Sequence, residues 1–189
     1  MWPMGHIAIG YLLYAGWTRL RHKEIPAAGP AIVVVFASLF PDIVDKPLAW
    51  YLGVLPTGRT LAHSLLFLLP LCLGVYLLAR ARDKEEYGIA FAIGALSHSL
   101  VDALPVLWSD TASASFLLWP YWSVEPYEGT APSPLELLQA SLTQPYFLTE
   151  FVLLGLTLIL WHRHGYPGLS FVRRLLGNDS TETDTDVDR

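Results

Sequence analysis

Cysteine is almost missing from this chain. Cys72 stands alone in 189 residues, which excludes a disulfide framework, and its apolar neighbours mark it as a packing residue. Charge is scarce as well. Asp, Glu, Lys and Arg supply 15% of the residues, where soluble domains carry about a quarter. Hydrophobic residues reach 53% and the mean hydropathy is +0.40, a balance that points away from an ordinary soluble domain and towards a bilayer. The opening "MWPMGH" lacks both the basic stretch of a signal peptide and an obvious small-residue cleavage site, so the first apolar run is expected to be kept as a helix. No internal repeat is visible, and no nucleic-acid partner is expected.

What the chain does have is apolar length. Five segments, roughly Met4–Trp17, Ala27–Val44, Leu61–Ala79, Tyr87–Leu107 and Tyr146–Trp161, read as candidate spans. A bilayer core needs about 20 apolar residues, so the first and last are short. The expectation is an all-α, polytopic membrane helical bundle of about five transmembrane helices. Residues 1–165 would form the membrane domain, and residues 166–189, ending in "NDSTETDTDVDR", a cytoplasmic and largely disordered acidic tail. Between the fourth and fifth segments, "FLLWPYW" is too short to span and reads as interfacial. "PLELLQASL" reads as a short amphipathic helix started by proline.

Basic residues orient this arrangement. Arg19, Arg21, Lys23, Arg80, Arg82, Lys84, Arg163, Arg173 and Arg174 fall in three segments on one side of a five-helix alternation. The other side has only Lys46 and Arg59. By the positive-inside rule the nine-residue side is cytoplasmic, with the N-terminus outside and the C-terminus inside a cell membrane, and membrane lipid is the expected surrounding.

On that map the polar residues of the apolar segments collect at the outer level: His6 at the start of the first helix, Asp42 and Asp45 closing the second, Arg59 and His63 opening the third at i, i+4 spacing, and His98 and Asp102 in the last turns of the fourth. "ALSHSLVDALP" puts His98 and Asp102 one helical turn apart on one face. Imidazole and carboxylate are the nitrogen and oxygen donors that suit a divalent metal, zinc foremost, with manganese or iron also served. A shared cation would also offset the cost of ionisable groups at membrane depth. Arg59 reads either as a holder of an anionic substrate group or as a partner that orients an aspartate. Ser64, Ser97 and Ser99 are candidate supporting donors. Taken singly, each residue has an ordinary reading: a capping or interfacial histidine, a solvated turn at "FPDIVDKP", an interfacial arginine, or an interhelical His–Asp bond.

Four ordered blocks, "GHIAIGYLL" (5–13), "LFPDIVDKP" (39–47), "GRTLAHSLL" (58–66) and "GALSHSLVDALP" (94–105), followed by "LLWPYW" (117–122), carry a family resemblance. Over about residues 4–122 the chain resembles the YdjM/YbcI-like inner-membrane proteins, a family described as predicted metal-dependent hydrolases. The resemblance implies a polytopic membrane protein in which His6, Asp42, Asp45, His63, His98 and Asp102 form a metal site. The chain differs from the family pattern in the three-residue step from Asp42 to Asp45, in Gly58 and in Ala62.

The leading expectation is a membrane-embedded metal-dependent hydrolase acting on an amphiphilic, phosphoester or lipid-linked ester substrate at the outer interface. Asp42 would serve as ligand or general base, and Arg59 would stabilise developing negative charge. Two alternatives stand beside it: a non-catalytic membrane protein that binds or conducts an ion, and a purely structural His/Asp cluster. If the histidines share one ion, a structure must place His6, His63 and His98 within about 10 Å of one another, since donor atoms lie about 2 Å from zinc.

Overall fold

The computed structural model describes residues 1–110, 112–126, 133–142 and 147–175, and all regular structure among them is helical. In chain order the helices are α1 (Pro3–His22), α2 (Ala28–Ala37), α3 (Phe40–Trp50), α4 (Leu65–Arg80), α5 (Glu85–Ala103), α6 (Pro134–Leu142), α7 (Phe147–Arg163) and α8 (Leu169–Leu175). Short 3-10 turns cover Leu104–Leu107 and Ser115–Leu118.

Local chemistry sets the helix ends. Pro3 opens α1, where its missing N–H costs nothing. Lys23 closes it in the left-handed region at φ 60°, with its N–H on the Arg19 carbonyl. Ser64 caps α4 by accepting the Leu66 N–H on its hydroxyl at 3.2 Å. α2 and α3 form one apolar stretch, broken at Ser38–Leu39 just before Pro41, a residue with no N–H for the helical ladder.

Packing is organised around α5, which touches α1, α2, α3 and α4. Small residues let the backbones close in. A methyl group on Gly94 would lie 2.7 Å from the Val34 carbonyl oxygen, and one on Gly88 would lie 2.6 Å from the Tyr76 Cα. The sequence order of these contacts makes α2 and α5 parallel and α4 antiparallel to α5. α1 runs against α5, because His6 meets His98 while Tyr14 and Ala90 share a core cluster. α7 runs with α1, since Glu150 lies beside Gly5 and Thr157 bonds the Ala8 carbonyl. The C-terminal ends of α1, α4 and α7, which carry the basic residues, therefore share the end of the bundle opposite His6 and His98.

Two stretches, Ala28–Trp50 and Glu85–Leu107, are 23 residues each and apolar enough to cross a bilayer. α4, at 16 residues, is shorter, and about five spans is a larger number than length and apolarity establish among the described residues. Along α4, Leu69, Leu73 and Leu77 are more than half exposed, as are Val152, Leu156 and Ile159 of α7. Apolar faces of this extent fit a lipid surround.

Three details differ from the expectation. Arg59 and His63 do not open the third helix: residues 51–64 are irregular, with Pro56 and Gly58 inside them and Gly53 at φ 61°. Asp42 lies in the first turn of α3 and Asp45 at its middle, rather than closing a helix. Residues 169–175 of the expected tail form α8, while the acidic end at 176–189 lies outside the described residues.

The close approach at Gly94 predicts that Gly94→Val lowers the thermal midpoint in detergent by several degrees, as overpacking costs about 1–3 kcal/mol. Gly74→Ala, at a position with nothing within 4 Å, should leave the midpoint unchanged or slightly raised. Equal midpoints for both variants would remove Gly94 as the gauge of helix spacing.

Candidate metal centre

The centre begins with an aspartate turned to the backbone. Asp45, with no solvent exposure, accepts the backbone N–H groups of Thr60 at 2.8 Å, Ala62 at 2.8 Å and His63 at 3.3 Å. The same carboxylate lies 2.8 Å from His63 Nδ1. It thereby collects the donors that the irregular 51–64 segment leaves without helical partners. It also assigns the tautomer of His63, because a carboxylate oxygen can only accept and Nδ1 must carry the proton.

His98 is fixed in the same way. Its Nδ1 lies 2.7 Å from the Ser38 carbonyl oxygen, at the break between α2 and α3, and so donates to it. In their neutral forms both imidazoles would then present an Nε2 lone pair, and these two atoms face each other at 3.1 Å. With no proton between them they repel. A cation between them converts the same geometry into two bonds.

Carboxylates complete the surround. Asp42 Oδ1 lies 3.6 Å from His63 Nε2 and 3.7 Å from His98 Nε2, and is buried without a hydrogen-bond partner. Its other oxygen accepts from Lys46 Nζ at 2.6 Å. Asp102 Oδ2 lies 3.8 Å from His63 Nε2 and 4.0 Å from His98 Nε2. Donors bound tetrahedrally at about 2.0–2.1 Å stand about 3.3 Å apart, so these spacings require only a small contraction. The grouped residues fall into two overlapping sets, His6 with His98 and Asp102, and Asp42 with His63 and His98. The residues present fit a divalent ion.

His6 stacks on His98, ring centroids 3.7 Å apart, and its Nε2 is 3.3 Å from Asp102 Oδ1 but not aligned for a hydrogen bond. Arg59 pairs with Asp102, its Nε 2.8 Å from Oδ2, while its side chain remains 48% exposed. The α-amino group of Met1 is 3.2 Å from Asp102 Oδ1. A cavity of about 200 Å³ opens onto Asp102 and Arg59. A larger apolar cavity of about 370 Å³ lies between α1, α2, α7 and α8, and none of the cluster residues lines it.

Residues 1–166 match the family model of the YdjM inner membrane protein. The chain belongs to the YdjM inner membrane protein family. No curated protein and no solved structure matches it. Family membership and the two candidate spans make this a membrane-associated protein, and the site is a His/Asp cluster able to hold a metal ion.

Of the residues singled out in the sequence, His6, Asp42, His63, His98 and Asp102 converge. Asp45 stands behind His63 rather than among the donors, because four hydrogen-bond donors already occupy its oxygens. Arg59 braces Asp102. The serines reach no donor atom: Ser64 donates to the Trp119 carbonyl at 2.6 Å, Ser97 to the Gly94 carbonyl at 2.9 Å, and the Ser99 hydroxyl is buried without a hydrogen-bond partner. Two participants were missed. One is the Ser38 carbonyl. The other is Glu150 of α7, 1% exposed, which accepts the Trp2 N–H at 2.9 Å and so anchors α1 one turn before His6. A lone acid in the apolar run "FLTEFVLL" was the available signal.

Asp45→Asn should weaken metal binding by about 10–100-fold while protein saturated with excess zinc still binds it stoichiometrically, measured by competition with a fluorescent chelator. Glu150→Leu leaves the Trp2 N–H unpaired, at a cost of about 1–3 kcal/mol, and should lower zinc affinity, whereas Glu150→Gln keeps an acceptor and should restore it. Equal affinities in the two Glu150 variants would separate α7 from the site.

Proposed function

We infer that this protein is a membrane-embedded, metal-dependent hydrolase acting on a phosphoester or lipid-linked ester. The observation that supports this reading most directly is the pair of Nε2 lone pairs facing each other at 3.1 Å, their tautomers locked by Asp45 and the Ser38 carbonyl. A divalent ion there, zinc by the donor set, supplies Lewis-acid polarisation of the scissile group and activation of water at neutral pH.

The chain's own residues do the rest. His63, His98, Asp42 and Asp102 hold the ion, with His6 packed on His98 and reaching Asp102. Asp42 has one oxygen without a hydrogen-bond partner, Oδ1, so it acts either as ligand or, with the ion held by the other residues, as the base that accepts a proton from water. Lys46 neutralises the far oxygen of Asp42, and Arg59 does the same for Asp102. The half-exposed guanidinium of Arg59 suits the developing negative charge of a phosphoryl or acyl transition state. The bundle is proposed to cross the membrane five times, with the cluster at the outer interface and the basic ends inside. Cysteines placed at Arg82 and at Thr57, in a Cys72→Ser background, should react with impermeant reagent from opposite faces of sealed cells and inverted vesicles.

A centre that binds an ion without catalysis is the second reading, favoured by the complete burial of His63 and His98. Metal content of detergent-purified protein, wild type beside His98→Ala, is the deciding first experiment. Roughly stoichiometric zinc, manganese or iron should be present and disappear in the variant. The loaded protein should then hydrolyse chromogenic phosphoesters or esters, with Arg59→Gln retaining metal and losing about 10²-fold in kcat. Bound metal with no turnover on either substrate panel would favour the ion-binding reading. No metal in either sample would reduce the cluster to a structural one.

A further inference from the structure

The cavity that opens onto Asp102 and Arg59 is two-faced in its chemistry. Its polar wall is the Arg59 guanidinium and the Asp102 carboxylate. Met1 and Thr149 also line it, and its apolar lining comes from separate helices: Ile9 of α1, Val101 of α5, Leu104 just after it and Leu153 of α7. Ile9 and Leu153 lie three residues beyond His6 and Glu150 on helices that run away from the cluster, so the apolar part extends about one turn deeper into the bundle. Ile9, Val101 and Leu153 are half-buried, and the mouth carries exposed apolar side chains, Leu104 at 42% and Trp108 at 53%. A small water-soluble phosphoester would use the arginine and leave those walls uncovered.

We propose that this cavity is a substrate subsite for a phosphoryl amphiphile, with the phosphate between Arg59 and the cluster and one alkyl chain along Ile9, Val101, Leu104 and Leu153, entering sideways from the lipid. This deepens the hydrolase reading and rests on it for the phosphate position. Charge complementarity fixes the occupant's head, since Arg59 is the one arginine among the lining residues and its side chain stays about half exposed while paired with Asp102. The apolar lining fixes its tail. A guanidinium carries five N–H donors, enough to bind phosphate bidentately while it remains paired with Asp102. The chain contributes affinity through burial, about three- to fourfold for each methylene that enters the cavity.

The test is binding rather than turnover. Full-length protein in nanodiscs, loaded with zinc, is titrated with inorganic phosphate and with methyl, butyl and hexyl phosphate, and empty nanodiscs of the same lipid are subtracted. Inorganic phosphate should bind in a manner that zinc removal and Arg59→Gln both weaken at least several-fold. Affinity should then rise with chain length. Leu153→Trp, which fills the slot without touching the cluster, should abolish that rise and leave inorganic phosphate binding intact. Should Leu153→Trp fail to fold, Ile9→Phe narrows the same slot from another helix. A flat chain-length series with intact phosphate binding overturns the subsite and leaves the hydrolase reading standing. Phosphate binding that ignores zinc and Arg59 overturns both the subsite and the phosphoester substrate on which it rests.

Discussion

Two imidazole lone pairs held face to face are the constraint around which this bundle is arranged. Left alone they would swing apart, and each is prevented from doing so by an acceptor behind it. Asp45 fixes His63 and the Ser38 carbonyl fixes His98. Each acceptor in turn depends on an irregularity. The Asp45 carboxylate requires a non-helical 51–64 segment whose N–H groups it can collect. The Ser38 carbonyl is at hand because the long apolar helix breaks before Pro41. Gly94 then brings α5 close enough to that break for His98 to reach it. The polar centre and the apolar packing are thus one problem solved with the same few residues.

Much of this was legible in the sequence. Apolar runs located most of the helices, and the four-residue step between His98 and Asp102 declared a shared helical face that the structure shows. The convergence of five donor residues could be read because each was an expensive ionisable group in an apolar context. The role of Asp45 could not. Whether a carboxylate turns to a cation or to backbone N–H groups depends on the path of a loop fifteen to eighteen residues away. The same loop explains Arg59 and His63. Their helical spacing invited a helix, but Pro56, Gly58 and the Ser64 cap place the helix start beyond them. Ser38 was invisible for a different reason: its contribution is a main-chain atom, which every residue has.

Charge is divided along the bundle. Asp42, Asp45 and Asp102 gather at one end with Lys46 and Arg59 as their lysine and arginine partners among the described residues, while the C-terminal turns of α1, α4 and α7 carry arginines and histidines at the other. The basic ends complement the helix dipoles, whose negative poles lie there. The acidic end is compensated instead by local pairs, and its unmatched atom, Asp42 Oδ1, faces the imidazoles.

The cluster residues come from α1, α3, the 51–64 segment and α5, so no helix pair holds the set. An ion bound there would act as a rivet through several parts of the bundle, and the free energy of binding it would be counted as folding free energy. The amount of protein in a membrane would then follow the cell's supply of the ion. Scarcity would be felt first as loosened helices offered to quality-control proteases, before any change in chemistry could be observed.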